Sequence, residues 1–313
     1  MTESKGPLSG VRIVDVTNVV FGAYGSSILA DLGADVIKIE APRTPLGGAG
    51  GDVMRYPGHL PDVIQAQSGF ASLAARIDNG PPRFVPSIIG DKVSRLFMAY
   101  ATIAALFHRE RMGEGQLVEV PMLECLTSFL LVEHLFDQAF DPPTGDWTYG
   151  RILTAHRRPY RTRDNYICVM PYSDQNWRDF FELADAPKSF FEDPRFTSYE
   201  NRARNYVSIY EAVEPLLLSR STDEWIEVLT AKGIPCSKIN DLNDLKSDPH
   251  LSAVDFFQRR VHPDVGPYFA IKHPVQFSAT PATINRAPPY WANIRRRFLP
   301  SWACGERLWV EPE

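Results

Sequence analysis

Several familiar signatures are missing from this sequence of 313 residues. Its four cysteines, Cys125, Cys168, Cys236 and Cys304, stand far apart and form no Cys-x-x-Cys pair. That spacing argues against a structural zinc site, and no metal is expected. No run of 18 apolar residues occurs, so no membrane-spanning helix is expected. The opening MTESKGPLSG lacks the apolar core of a secretory signal. The protein is therefore expected in the reducing cytoplasm, with Cys125 and Cys168 as buried thiols in apolar runs. A formal charge of −5 and the lack of a basic stripe argue against a nucleic-acid partner. The triplet Arg295 to Arg297 reads as a solvated face. Gly22 and Gly25 do not complete a GxGxxG, which argues against a dinucleotide site.

What is present is the composition of a globular protein, 44% apolar and 23% charged, with 26 prolines that imply many fixed turns. VRIVDV (11–16) is a β-branched strand. GAYGSSILADLG carries Ile28, Leu29 and Leu32 at helical spacing and stops at Gly33. ADVIKIE is a second strand ending at Glu40. Strand, helix and strand in about thirty residues make a βαβ unit and so a parallel sheet. Residues 41–61 then show no periodicity, which is long for a loop within a domain and suggests a lid, a disordered segment or an internal loss.

From Asp62 onward DVIQAQSGFASLAA reads as a helix. Asp91 reads first as a cap, and second as a pocket residue, of a helix whose apolar face is Val93, Leu96, Phe97, Tyr100, Ile103, Ala104 and Phe107. GEGQLVEVPM reads as a turn and strand, and LECLTSFLLVEHLFDQAF as a buried helix. Beyond Pro142, HRRPYRTRDNYICVMPY reads as a hairpin turning at RDN. Amphipathic helices follow near Gln175–Leu183 and Thr222–Lys232. GIPCSKIN reads as a turn and strand, and DLNDLKSDPHL as a short helix.

Taken in order, LSGVRIVDVTNVVFGAYGSSILADLGADVIKIEAP, GDK, HRERMGEGQLVEVPMLE, HRRPYRTRDNYICV, GIPCSKINDLNDLKSDPHL and HPVQFSATPATINRAPP resemble the class III CoA-transferases, the group named for carnitine dehydratase and bile-acid-inducible protein F. The resemblance covers most of the chain. It implies an α/β fold: a Rossmann-like large domain with a parallel sheet, a smaller α+β domain, and interlocked homodimers. It assigns 1–145 plus 265–313 to a large CoA-binding domain and 159–257 to the small domain, with 146–158 and 258–264 as linkers. Several strands and helices that the family carries between the second strand and the Asp62 helix are absent here, so the large domain is expected to be incomplete. The segment after RAPP departs from the family as well.

The implied reaction moves coenzyme A from an acyl-CoA to a carboxylic acid through an aspartyl anhydride and an aspartyl thioester. The implied partners are acyl-CoA and carboxylate substrates and a second copy of the chain, with no membrane. By resemblance the nucleophile precedes a segment like VIQAQSG, which points to Asp62, although counting back from Gly69 lands on Pro61. A one-residue offset rotates a helical side chain by about 100°, and Asp at a first turn is also favoured by the helix dipole alone. TNVVFGAYG sits where ligands bind at the carboxyl end of a parallel strand. Val19, Val20, Phe21, Gly22 and Ala23 are therefore the candidates for CoA contact, and Arg43 could meet a CoA phosphate, although it also reads as a solvated loop arginine. A tight turn of small residues would look the same. Other readings are an α-methylacyl-CoA racemase relative, which would need a His/Asp pair that His59 in GHLPD does not supply, and a truncated member without activity. His108 and His156 read as structural or surface residues.

Overall fold

Alternating β-branched residues set the first strand, β1 (Arg12–Asp15), which pairs in parallel with β2 (Asp35–Lys38) in the register Arg12 to Asp35. Helix α1 (Val19–Asp31) joins them. The computed structural model describes residues 6–17, 19–38, 60–263 and 266–284, with backbone alone at 19–24 and 60–61. The expected βαβ unit is thus present, with one correction. Val19 to Ala23 are not a loop but the opening of α1. Nothing in VVFGA breaks a helix except Gly22, whose cost of about 1 kcal/mol the packing of one long helix outweighs. Arg43, Glu40, His59 and the C-terminal segment from 285 lie outside the described residues.

Helix α1 ends at Gly33, with φ +101°. A β-carbon there would sit 2.9 Å from the Gly6 Cα, so the turn tolerates only glycine. At the other face, a β-carbon on Gly25 would lie 2.0 Å from Met98 Cε, which shows how closely α1 lies on α4 (Ile89–Met112). Leu29, Ala34 and Ala99 form a small core there, backed by Val11, Ile13 and Val36.

The segment read as one helix from Asp62 is two, α2 (Leu60–Gln67) and α3 (Phe70–Asp78). Gly69 separates them with φ +89°, a left-handed conformation that ends a helix. The chain divides into two compact units at that point. The first comprises 1–68, 85–129 and 246–313; the second comprises 69–84 and 130–245. Helix α5 (Met122–His134) runs through one of the boundaries. It buries Leu126 and Leu130, four residues apart, and exposes Val132, so it is amphipathic rather than wholly buried.

Helix α4 departs from its expected apolar face. Val93 is buried, but Leu96, Tyr100, Ile103 and Phe107 face solvent, while Asp91, Ser94 and Arg95 are buried. Residues 114–121, expected as a turn and strand, pair with nothing among the described residues, and Leu117 is 85% exposed. A strand needs a neighbouring ladder, and the described parallel sheet has only β1 and β2. The first unit also holds α11 (Pro249–Ala253) and the antiparallel hairpin β6 (Phe257–His262) and β7 (Gly266–Ile271). Residues 258–262, expected in a linker, therefore belong to a strand.

In the second unit β3 (Tyr160–Arg161), β4 (Tyr166–Val169) and β5 (Cys236–Lys238) form an antiparallel sheet in that order. The expected turn at RDN closes with Thr162 N–H donating to Asn165 O at 2.9 Å. Ile167 and Val169 point inward, so Cys168 between them is exposed rather than buried as expected. Around the sheet lie α6 (Asp174–Leu183), α7 (Lys188–Glu192), α8 (Tyr199–Arg204), α9 (Tyr206–Leu217) and α10 (Thr222–Ala231). Their core joins Trp177, Phe180, Phe181, Ile209, Val213, Leu217, Trp225 and Leu229. The Trp225 indole N–H reaches Leu217 O at 2.8 Å, so the one polar atom of the largest buried side chain is satisfied. Ser173 and Ser221 each close a capping box.

Trp225→Ala should lower unfolding stability by about 3–5 kcal/mol, and Ser221→Ala by about 1 kcal/mol. Urea titration followed by circular dichroism would measure both. A Trp225→Ala loss below that of the cap variant would contradict this account of the core.

Candidate active site at the junction of α2 and α4

Gln65 organises the junction. It is fully buried, and a buried amide must find partners within the protein. Its oxygen accepts from Val85 N–H at 2.9 Å, and its amide donates to Ser87 O at 3.3 Å. It also reaches Asp62 Oδ1 at 3.4 Å. These bonds fix α2 to the segment that leads into α4. Gly90, at the first turn of α4, completes the fit: a β-carbon there would lie 3.4 Å from Ile64 Cγ2.

Two carboxylates belong to this junction. Asp62, singled out from the sequence, is half-buried in the first turn of α2. Asp91 is 4% exposed in the first turn of α4. It does not cap that helix: the N-cap is Ile88, without a side-chain bond. Among the described residues its ion-pair partner is Arg95, at 4.0 Å one helical turn on. Burial pushes the Asp91 pKa upward, and the Arg95 charge offsets only part of that. Ser94 and Cys125 lie close by; Ser94 donates to Gly90 O at 2.8 Å, and burial raises the Cys125 thiol as well. The sequence reads Asp91, within the GDK motif, first as a cap and second as a pocket residue; the structure gives it no cap bond and buries it.

At the carboxyl end of β1 a second buried acid has the opposite environment. Asp15 accepts from Ser26 Oγ at 2.5 Å, from Thr17 N–H at 2.8 Å and from Thr17 Oγ1 at 2.6 Å, with Lys38 Nζ at 3.2 Å. Burial alone would raise its pKa, but these donors and the ammonium together hold it below the usual range. Lys38 also bonds the Thr17 carbonyl, which ties β2 to the turn entering α1. Position, rather than any motif, brings this cluster together. Val19 to Ala23 follow it directly, with their side chains outside the described residues.

His108 and His156, read from the sequence as structural or surface residues, have local partners. His108 is exposed and within 3.3 Å of Glu114 O; His156 meets Glu211 at 3.1 Å. No group of three metal-ligating side chains occurs among the described residues, and no helix there is long and apolar enough to cross a membrane.

The profile of CoA-transferase family III matches residues 8–59 and 47–293, and the chain belongs to that family. It is 24% identical to the probable fatty acyl-CoA transferase Rv3272 of Mycobacterium tuberculosis, over 94% of this chain and 97% of that protein. It is also 24% identical to the formyl-CoA:oxalate CoA-transferase of Escherichia coli, over 72% of this chain and 59% of the relative. The fold is that of the Rv3272 crystal structure, with TM-score 0.73, 22% identity and coverage of 95% and 99% of the two chains. A CaiB/BaiF family protein from Brucella suis aligns at TM-score 0.71 and 17% identity over 93% and 99%. The alignment with the mycobacterial relative spans 385 residues, more than the 313 present here, so that protein carries residues with no counterpart in this chain. The two family matches meet at 47–59.

The two acids predict opposite pH behaviour. Asp15, with a lowered pKa, stabilises the fold above its unfolded value near 3.8, and that contribution is lost as pH falls below it. Asp91, with a raised pKa, favours the fold when protonated, and its ionisation costs stability as pH rises above about 3.8. Asp15→Asn should therefore destabilise at pH 7 and Asp91→Asn stabilise, with both differences shrinking near pH 3. Thermal unfolding across pH measures this, and the same sign for both variants at pH 7 would refute it.

Proposed function

We propose that this protein transfers coenzyme A between an acyl-CoA and a carboxylic acid, with a carboxylate of the α2–α4 junction as covalent nucleophile. Family membership supports the reaction class. The observation that carries the assignment to this junction is the burial of Asp91 in the first turn of a long helix. A carboxylate out of water is a stronger nucleophile than a hydrated one. Asp62 is the second candidate; it is half-buried, and its Oδ1 is engaged by Gln65.

In the proposed cycle the carboxylate attacks the thioester carbonyl and expels CoA thiolate, which leaves a mixed anhydride. The thiolate attacks the aspartyl carbonyl of that anhydride, releases the donor acid and forms an aspartyl thioester. The acceptor carboxylate then attacks this thioester and expels the thiolate again. Thiolate attack on the acceptor's carbonyl in the new anhydride gives the new acyl-CoA and restores the aspartate. No net proton is consumed. Coenzyme A enters as part of the substrate, and the scheme requires no metal. We place CoA contacts at Val19 to Ala23, supported by the position of this helix start beside the parallel strands, and at Arg43, which lies outside the described residues and is proposed from its charge alone. A large CoA-binding domain that lacks part of its sheet is supported by the family match falling into two parts, 8–59 and 47–293, and by the exposed Leu117. A homodimer is supported by the solvent-facing stripe Leu96, Tyr100, Ile103 and Phe107. The cytoplasm is the proposed location.

Incubation with short- and long-chain acyl-CoAs plus oxalate or a fatty acid should yield the new thioester by mass spectrometry. Hydroxylamine should convert the trapped aspartyl intermediate to a hydroxamate on the peptide carrying Asp91. Asp91→Asn should lower turnover by at least about 10³-fold, a barrier increase of about 4 kcal/mol; Asp62→Asn should lower it less. A hydroxamate at Asp62 would move the nucleophile there. Deuterium entry at the α-carbon without transfer would replace this reading with a racemase, and absence of both activities would mark an inactive family member.

A further inference from the structure

Within the second unit a cleft opens between the turn at Gly150–Ile152 and helices α6, α8 and α9. Arg151, Trp177, Arg202 and Tyr210 form its inner part, and Tyr172 and Tyr199 stand at its mouth. The two arginines differ in a way that matters. Arg202, 6% exposed, is fully engaged: it donates to Phe196 O at 2.9 Å, bonds Asp174, and lies 5.9 Å above the Trp177 ring. Arg151 is half-buried, yet its partners are phenols. Its Nε donates to Tyr210 Oη at 2.8 Å, and Tyr149 is the other hydroxyl bound to it. Among the described residues no carboxylate pairs with it. A partly buried guanidinium without an acid is uncommon, because desolvating the charge is costly unless an anion compensates.

The space open to water centres inside the cleft is about 10 Å³, enough for about one water. A carboxylate head could occupy that space only if the rest of the molecule lay outward. There the rings of Tyr172 and Tyr199, 70% and 53% exposed, offer an apolar flank. The cleft depends on Gly150 as well: a β-carbon there would come 2.9 Å from Tyr206 Oη and displace a lining ring. We propose that this cleft binds the carboxylate of a small organic acid with an aromatic or apolar body, Arg151 holding the head and the two exposed tyrosines holding the body. All of its groups belong to the second unit, and the proposal does not depend on the transferase reading.

The test uses binding alone, by calorimetry or saturation-transfer NMR, with phenylacetate as probe and phenylacetamide as its neutral isostere. The wild-type protein should bind phenylacetate with a Kd on the order of 1 mM and the amide at least about tenfold more weakly. Arg151→Gln should abolish that preference. Tyr199→Ala, at an exposed position that the fold does not need, should weaken phenylacetate about threefold and leave the preference in place. Equal binding of acid and amide by the wild type, or no saturable binding of either, overturns the proposal. So does a preference that survives in folded Arg151→Gln. Should that variant fail to fold, the isostere comparison and Tyr199→Ala decide.

Discussion

The candidate site depends on one buried amide. Gln65 has no solvent to bond, so its oxygen and nitrogen must be satisfied from within, and Val85 N–H and Ser87 O do so. Leaving such a group unpaired costs about 1–3 kcal/mol, which makes the geometry around it close to all-or-none. The chain leaves the first unit after Ser68, forms α3 in the second, and returns at Val85. Gln65 joins the point of departure to the point of return. Asp62 lies one turn before it, and the first turn of α4, with Asp91, begins four residues after Val85. Both carboxylates inherit their positions from that pair of hydrogen bonds.

Burial then gives acids in the first unit different properties. Asp15 and Asp91 are equally hidden, each 4% exposed. Asp15 is surrounded by donors supplied by the end of β1, by α1 and by β2, so its charge is fixed and it serves as a structural anchor. Asp91 has one guanidinium at the limit of ion-pair distance, and its anion is costly to maintain. An acid with surplus donors has little to gain from attacking a carbonyl. One with a deficit has more, and that environment is what the proposed role of Asp91 rests on.

Much of the architecture was legible because it follows from local chemistry. The β-branched strands around α1, the glycine stop at 33, the hairpin turn at RDN and the serine-capped helices of the second unit all carry their signals within a few residues. The errors share a cause, which is that burial is decided by distant partners. The periodicity of α4 marks an apolar stripe correctly but not which side of the helix the chain will cover, so Leu96 and Phe107 came out exposed and Arg95 buried. Cys168 stands in an apolar run, yet strand alternation turns it outward. Gly69 was visible, but only its left-handed backbone showed that it divides one apparent helix into two. An acid at a helix start has a ready local explanation as a cap, and the burial of Asp91, which makes no such cap, is not visible in its own neighbours along the chain.

The exposed apolar groups of the first unit bear on how this unit, with two parallel strands among the described residues, holds together. Val14 and Val16 on and beside β1, Leu117 and Val118 after α4, and the outer stripe of α4 all face water. Each would be covered in a larger sheet or by another chain, since side chains of this size contribute about 1.5–3 kcal/mol when fully buried. The second unit also exposes apolar groups, among them Val132, Phe140, Tyr172 and Leu242, but it holds a larger buried core than the first. It is built around a large aromatic cluster, while the unit with the candidate carboxylates has the small core of Leu29, Ala34 and Ala99, a few glycine-permitted close contacts, the Asp15 cluster and Gln65. A catalytic reading of this protein requires the unit with the smaller core to hold two acids in register. The Gln65 bonds and the Gly90–Ile64 contact are the interactions in the structure suited to that task.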